Sequence, residues 1–262
     1  EGPAGFRIDE HLQRLLDSAK IYRMPMRCDL AYLRQAVKDT VVANGHKACY
    51  ILPLVMRDYS EMGVDPRGCG VQVVIATWEW GEYLGAGALE QGIDVCVSSW
   101  NRMAPNTFPS LAKSAANYAN SQLIKMEALE NGYAEAIVLD TNGYVSEGSG
   151  ENVFVVKNGR ILTPPLSNSV LGGITRDTVM TLARDLGYDM QEAVITREML
   201  YVADELFFSG TAAEITPIRS VDKITVGSGK RGPVTAALQS AFFDVIHGRA
   251  PDRHGWLVPL WK

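Results

Sequence analysis

Four short segments of this sequence concentrate residue types that can do chemistry. Lys113 lies in Asn106-Thr-Phe-Pro-Ser-Leu-Ala-Lys-Ser-Ala-Ala-Asn-Tyr118, an almost uncharged run. A lysine among apolar and small neighbours loses solvation, which favours the neutral amine that attacks carbonyls. Tyr118 follows five residues later, where a loop-to-helix turn brings its hydroxyl beside whatever Lys113 binds. On this stretch alone, a surface lysine at a helix start and a packing tyrosine are the better readings.

Ser146-Glu-Gly-Ser-Gly-Glu-Asn152 is more unusual, with two acids and two glycines between strand-like runs. Glycine lets the backbone approach a ligand closely, so Glu147 reads as a carboxylate offered to a ligand, against the plainer reading of an acidic surface turn. Leu171-Gly-Gly-Ile-Thr-Arg-Asp177 sets Gly173, Ile174 and Thr175 at the start of a helix. Free N–H groups and a hydroxyl there make a phosphate seat, although a plain Thr N-cap would look the same. Ser209-Gly-Thr-Ala-Ala213 ends an apolar run with Gly210, Thr211 and Ala212, a candidate anion nest that is weak by itself. His11, His46, His247 and His254 are dispersed and none stands at ligand spacing from a Cys or acid, so no metal site is expected.

These segments need elements to hold them. Leu12, Leu15, Leu16 and Ala19 share one face of a helix from about Asp9 to Tyr22, and Leu30, Leu33, Val37 and Val41 repeat the spacing until Asn44-Gly45. Ala48 to Met56 and Val71 to Thr77 are short and rich in β-branched residues, as strands are. The long loop between them, Arg57 to Gly70, has the length of a functional loop. Further strands are read at Ile93–Ser99, Ala136–Asp140, Asn152–Val156 and Glu205–Ser209, and helices at Ala115–Asn131, Thr175–Leu186 and Val234–His247. Asn142-Gly143 and Asn158-Gly159 are hairpin-turn signals. Glycines beside aromatics from Trp78 to Gly87 mark a crossing between halves. The expected organisation is an α/β (α+β) protein with a small domain over 1–84, a linker over 85–92 and a larger, mostly antiparallel domain over 93–262.

Composition narrows the partners. Among 262 residues, 25 Lys and Arg against 30 Asp and Glu leave a net charge of −5, without the basic field that nucleic acid requires. Hydrophobic residues at 47% and charged residues at 21% are globular proportions, which excludes a disordered chain. No run of about 18 apolar residues suggests a membrane span, and no signal peptide is read on a chain whose first residue is Glu1. Cys28, Cys49, Cys69 and Cys96 lack paired spacing and read as reduced thiols of a cytoplasmic protein acting on something small.

In this order, the motifs Ser146–Asn152, Gly173-Ile-Thr-Arg-Asp177 and Ser209-Gly-Thr-Ala-Ala-Glu-Ile-Thr-Pro217 resemble those of the fold-type IV pyridoxal-phosphate aminotransferases. The similarity is greatest to the branched-chain amino acid aminotransferases and runs from Gly5-Phe-Arg-Ile-Asp-Glu-His-Leu-Gln-Arg-Leu to Trp256. The resemblance implies a small α+β domain and a larger pseudo-barrel domain that binds pyridoxal 5′-phosphate. It makes Lys113 the Schiff-base lysine that also moves the proton between substrate Cα and cofactor. It makes Glu147 the partner of the pyridine nitrogen, which keeps the ring an electron sink, and Tyr118 the partner of the phenolic oxygen. Arg14, Ile174, Thr175 and Thr211 then form the phosphate cup with Gly173 and Gly210, and Leu171 packs on the ring. Tyr50, Met62, Val64, Trp80, Tyr83, Thr211 and Ala212 would line a substrate pocket for branched side chains. The loop carrying Met62 and Val64 would reach a neighbouring subunit, in a homodimer at least and up to a hexamer of dimers.

Two departures accompany the resemblance. Family members carry a few dozen residues ahead of the equivalent of Glu1, including a strand, an aromatic pocket residue and a Phe-Glu-Gly segment. If that stretch is missing from the molecule, poor turnover with retained cofactor is expected. The family's Tyr-x-Arg pattern reads Tyr50-Ile-Leu52 here, and the arginine is the one that serves the acidic side chain of glutamate and 2-oxoglutarate. The expected activity is exchange between branched-chain L-amino acids and their 2-oxo acids, with glutamate handling impaired unless Arg57 or Arg102 reaches the same spot. The alternatives are an (R)-amine or D-amino acid transaminase on the same scaffold, or a cofactor-binding relative with little turnover.

Overall fold

A computed structural model of the chain describes residues 3–81, 83–85 and 87–261. The chain divides into two compact units, Glu1–Gly81 with Pro251–Lys262, and Glu82–Ala250.

The first unit opens with a short strand, β1 (Ala4–Phe6), and two helices, α1 (Ile8–Ile21) and α2 (Leu30–Ala43). Asp9 and Glu10 in the first turn of α1 and Lys20 in its last turn complement the helix dipole. The Asp29 carboxylate caps α2 by accepting from the Tyr32 amide at 2.9 Å. The apolar stripes bring Ile8 and Leu12 against Leu33, Val37 and Val41, which are buried. Each such side chain contributes about 1.5–3 kcal/mol by leaving water. Against this cluster lies a hairpin of β2 (Tyr50–Arg57) and β3 (Val71–Trp78), paired from Tyr50↔Trp78 to Arg57↔Val71. Ile51, Val73 and Ile75 face the cluster, while Leu52, Leu54, Met56 and Val74 on the opposite face are exposed.

The second unit runs α3 (Ala88–Gln91), β4 (Ile93–Asn101), α4 (Ala115–Glu130), β5 (Glu135–Leu139), β6 (Val145–Gly148), β7 (Asn152–Lys157), β8 (Arg160–Thr163), α5 (Ile174–Asp185), β9 (Asp189–Glu192), α6 (Arg197–Tyr201), β10 (Glu205–Gly210), β11 (Glu214–Val221), β12 (Ile224–Thr225) and α7 (Pro233–Ile246). Its strands form one sheet in the order β6-β5-β4-β11-β10-β7-β8-β9, with β12 beside β11, curled as a half-barrel. The pairs β11–β4, β4–β5 and β8–β9 are parallel and the others antiparallel. Strands β7 and β10 are buried on both faces, which is why they read as continuous apolar runs; Phe154 and Phe207 stack at 4.9 Å between ring centres. At the β7–β8 hairpin, Asn158 and Gly159 both take positive φ (50° and 75°), as a type I′ turn requires.

The last strand, β13 (Leu257–Pro259), pairs antiparallel with β1 through Gly5↔Val258, so residues 251–261 belong with the first unit and not with the second half where a linear cut places them. Strands β6, β8, β9, β11 and β12 and helices α3 and α6 were not legible as elements. In β11 the reason is Pro217, which argues against a central strand. The β4 ladder begins only at Ile218↔Ile93, one residue past the missing N–H.

Candidate active site

Strand β4 ends at Asn101, and the next residue, Arg102, turns inward and is buried. Its guanidinium ties three segments together. Nη1 donates to Asn120 Oδ1 and Ser121 Oγ of α4, each at 3.1 Å, and Nη2 donates to the carbonyls of Gly148 and Ser149 at 2.8 and 3.0 Å. Nη2 also stands 3.2 Å from Glu147 Oε1. Glu147 is presented by β6 and is buried; its Oε2 accepts from Asn152 Nδ2 at 3.0 Å and from the Leu171 amide at 3.1 Å. Asn152 donates as well to the Leu171 carbonyl at 3.0 Å, fastening β7 to the segment ahead of α5.

Burial pushes the Glu147 carboxyl above its usual range, and Arg102, the Leu171 N–H and Lys113 pull against that rise. An acid that far from water keeps its charge only through such partners. Lys113 and Tyr118 line the same cavity as Arg102, Glu147, Glu151, Asn152, Ser169 and Leu171. Lys113 Nζ donates to the Tyr118 hydroxyl at 2.7 Å and lies 5.3 Å from the centre of its ring. Of the two readings of this stretch, the surface lysine at a helix start is the one found: Lys113 is exposed, directly ahead of Ser114, which caps α4.

Helix α5 begins at Ile174, and its N-cap is Gly173, with no side-chain cap. The Thr N-cap reading therefore fails: Thr175 lies inside the first turn and is buried. Gly173 is required sterically, since a Cβ there would overlap Asn152 Oδ1. Strand β10 ends at Gly210, and Thr211 and Ala212 form the turn into β11. Ser209 pairs with Asn152 in register, and its buried hydroxyl has no partner among the described residues.

The remaining expected residues divide between the units. Arg14 lies on α1, and Tyr50, Leu52, Met62, Val64 and Trp80 all lie in the first unit. Tyr50 packs edge-on to Trp80 at 4.5 Å and near Trp78 at 5.1 Å. Met62 and Val64 are almost fully exposed on the 58–70 loop. Tyr83 belongs to the second unit, with its ring 5.8 Å from Lys125 Nζ. Arg57 does not stand beside Leu52: its guanidinium donates to the carbonyls of Pro66, Tyr22 and Arg23, from the opposite face of β2. Arg102, Glu151 and Asn152 were missed as parts of the site. The only sign was a charged residue ending an apolar strand and a second acid in the Ser146–Asn152 motif.

The amino-transferase class IV family model matches residues 1–221. The chain belongs to the class IV amino-transferase family. Within it, the chain is 53% identical over 261 residues to the branched-chain-amino-acid aminotransferase of Salmonella typhimurium, covering 99% of this chain and 84% of that one. The crystal structure of Escherichia coli branched-chain amino acid aminotransferase superimposes with a TM-score of 0.97 at 53% identity, over 99% of this chain and 86% of the other. The branched-chain amino acid aminotransferase from Thermobaculum terrenum, in its PLP holo-form, gives a TM-score of 0.93 at 36% identity, over 98% of this chain and 83% of the other. The class IV fold and the resemblance read from the three motifs agree with these matches.

Proposed function

We propose that this protein is a pyridoxal-phosphate-dependent transaminase that interconverts branched-chain L-amino acids and their 2-oxo acids. The observation that carries the reading is one cavity that holds an accessible amine, Lys113, opposite a buried carboxylate, Glu147, in a chain so similar to branched-chain aminotransferases.

The donor set suits the cofactor. Glu147, fixed by Arg102, Asn152 and the Leu171 amide, is an anion buried where a protonated ring nitrogen needs a partner. The first turn of α5, whose N-cap is the side-chain-free Gly173, suits a phosphate, with Thr175, Gly210 and Thr211 as the further proposed donors of this unit. The unpartnered Ser209 hydroxyl is a further donor beside Asn152. When bound, pyridoxal phosphate supplies the covalent handle and the electron sink for the bond broken at the substrate's Cα.

The chain's own residues do the rest. Lys113 holds and returns the proton at Cα as base and then acid, from an exposed position directly ahead of α4. The Tyr118 hydroxyl, bonded to Nζ, orients that amine and keeps a donor over the cavity. Leu171 closes one wall with an apolar side chain and excludes water. Tyr50, Met62, Val64 and Trp80 of the first unit are proposed contacts of the substrate side chain, and Tyr83 and Ala212 are the ones proposed from the second unit.

We further infer that Leu52 lowers the use of glutamate and 2-oxoglutarate. Neither suggested substitute cation is available, because Arg57 is spent on three carbonyls and Arg102 on Glu147. The exposed Met62–Val64 loop is the proposed contact with a second copy, so a homodimer or larger assembly is inferred, in the cytoplasm; among the described residues no helix is long and apolar enough to cross a membrane. The deciding experiment is a donor panel of L-leucine, D-alanine and (R)-1-phenylethylamine. L-leucine should be the efficient donor, and preference for either of the others would replace this reading by the D-amino acid or (R)-amine alternative.

A further inference from the structure

Between the site and α4 lies a buried cluster with more acids than the chain's ion pairs can balance. Arg102 pairs with Glu147, and Lys125 Nζ pairs with Glu135 Oε2 at 2.9 Å. A third carboxyl, Glu151, is 4% exposed and belongs to neither pair. Its Oε2 accepts from the Gly150 amide at 3.1 Å, while its Oε1 is buried with no hydrogen-bond partner among the described residues. The side chain lines the cavity and occupies space left by two glycines. A Cβ on Gly148 would come within 2.7 Å of Glu151 Oε2, and one on Gly210 within 3.7 Å of its Cγ.

The groups facing Glu151 are Glu135 from β5, Lys125 from α4 and Arg102 beyond β4; Glu147 lies on β6, with Lys113 facing Glu147 from the cavity. Both nearby cations are already matched to other carboxylates, so a charge on Glu151 would be an uncompensated charge removed from water. Burial, and then the neighbouring Glu135, push its carboxyl up to about 8.

We propose that Glu151 is the proton store of this site: a neutral acid while the cofactor is absent, which gives up its proton when a cationic ring nitrogen is seated against Glu147. The proposal rests on the pyridoxal-phosphate reading above. The balance is simple. The O–H bond of Glu151 breaks, its electron pair stays on the oxygen, and an N–H bond forms on the ring nitrogen, directly or by way of Glu147. Glu135, Glu147 and Glu151 are then matched by Lys125, Arg102 and the ring nitrogen, and the net charge has changed only by whatever charge the cofactor itself brought. Reciprocity requires that ionised Glu151 favour the cationic ring and that the seated ring lower the proton affinity of Glu151. Glu151 is thus a positioning residue for charge that acts through Glu147.

The test counts protons. Cofactor-free protein in weakly buffered solution near pH 7 is loaded with pyridoxal 5′-phosphate, and the proton uptake is titrated for wild type and Glu151→Gln. Wild type should take up fewer protons than the variant, the difference approaching one per site; Glu151→Leu, also neutral, should match Glu151→Gln if either folds poorly. Thermal unfolding of the cofactor-free proteins gives a second readout. Unfolded Glu151 ionises near 4.5 and the folded group near 8, so the folded state holds the extra proton between them. Wild type should therefore lose stability relative to Glu151→Gln as pH rises through that window, with no further loss above it. Equal proton counts, or a stability difference that does not vary with pH, would overturn the proposal. A wild type that takes up no cofactor while keeping the pH-dependent stability difference would overturn the reading of the site and not the neutrality of Glu151.

Discussion

The β2–β3 hairpin of the first unit and the β6–β7 segment of the second, whose strands pair with β5 and with β8 and β10, handle polarity in opposite ways. The hairpin turns Leu52, Leu54, Met56 and Val74 outward and puts its apolar residues where water reaches them. The β6–β7 segment buries Ser146, Glu147, Glu151 and Asn152, and fastens Glu147 with Arg102 and two N–H donors. Apolar surface left open is adaptable and cheap to change. A buried charge is neither, because removing one member of a pair strands the other. On the proposed function, the second region would carry the reaction chemistry and the first the choice of substrate or partner.

That division can be broken most sharply at Lys113. Lys113→Ala should lower transamination by about ten-thousandfold, the upper range for a proton-transfer group, while the melting temperature stays nearly unchanged because the side chain is exposed. Borohydride treatment of the cofactor-loaded wild type should fix the cofactor on Lys113 in a peptide map, and an adduct on another lysine would refute the assignment. Glu147→Gln should cost both function and fold. Turnover should fall by about a hundred- to a thousandfold, and denaturant unfolding should show a loss of about 3–5 kcal/mol as Arg102 loses its counter-charge.

The hairpin should respond with selectivity alone. Leu52→Arg introduces a charge-assisted bond of about 2 kcal/mol to an acidic side chain, or about thirtyfold in the ratio of kcat/KM for 2-oxoglutarate to that for a branched 2-oxo acid. An unchanged ratio would remove Leu52 from acceptor choice. A smaller effect is expected at Asp94, which sits on the second unit's sheet but is half-exposed. Arg219 donates to it at 2.9 and 2.6 Å, and this pairing, with the Ser220 hydroxyl, holds its carboxyl below the usual range. Its contribution is present above an ordinary aspartate pKa and disappears as acid protonates it. Asp94→Asn should therefore lower stability at pH 7 by less than about 1 kcal/mol, with the difference vanishing in thermal melts as the pH drops below about 3.8.

The legible parts of the fold were those in which one residue type repeats with one period. The helical stripes at Leu12–Ala19 and Leu30–Val41, the β-branched runs of β2 and β3, and the Asn158-Gly159 turn each follow from local sterics and a single buried face. Strands β8, β9 and β12 were too short for a period to show, and β11 was hidden by Pro217, whose tolerance depends on where a distant neighbour starts to pair. At the site, Lys113 and Glu147 stood out by their surroundings in the chain. The Arg102–Glu147 pair did not, since it joins residues forty-five positions apart and nothing local marks either as buried. For Lys113 the plainer reading of a surface lysine at a helix start is the one the structure bears out, because uncharged neighbours in sequence are not apolar neighbours in space.

The β1–β13 ladder has a consequence for how the molecule is made. Its two strands come from opposite ends of the described chain, so a ribosome must deliver nearly all of it before Gly5 can meet Val258. Residues 82–250, contiguous and with their own sheet, need none of the residues after Ala250. The order of synthesis therefore lets the carrier of the buried charges begin folding first, while β1 waits for β13 to be delivered.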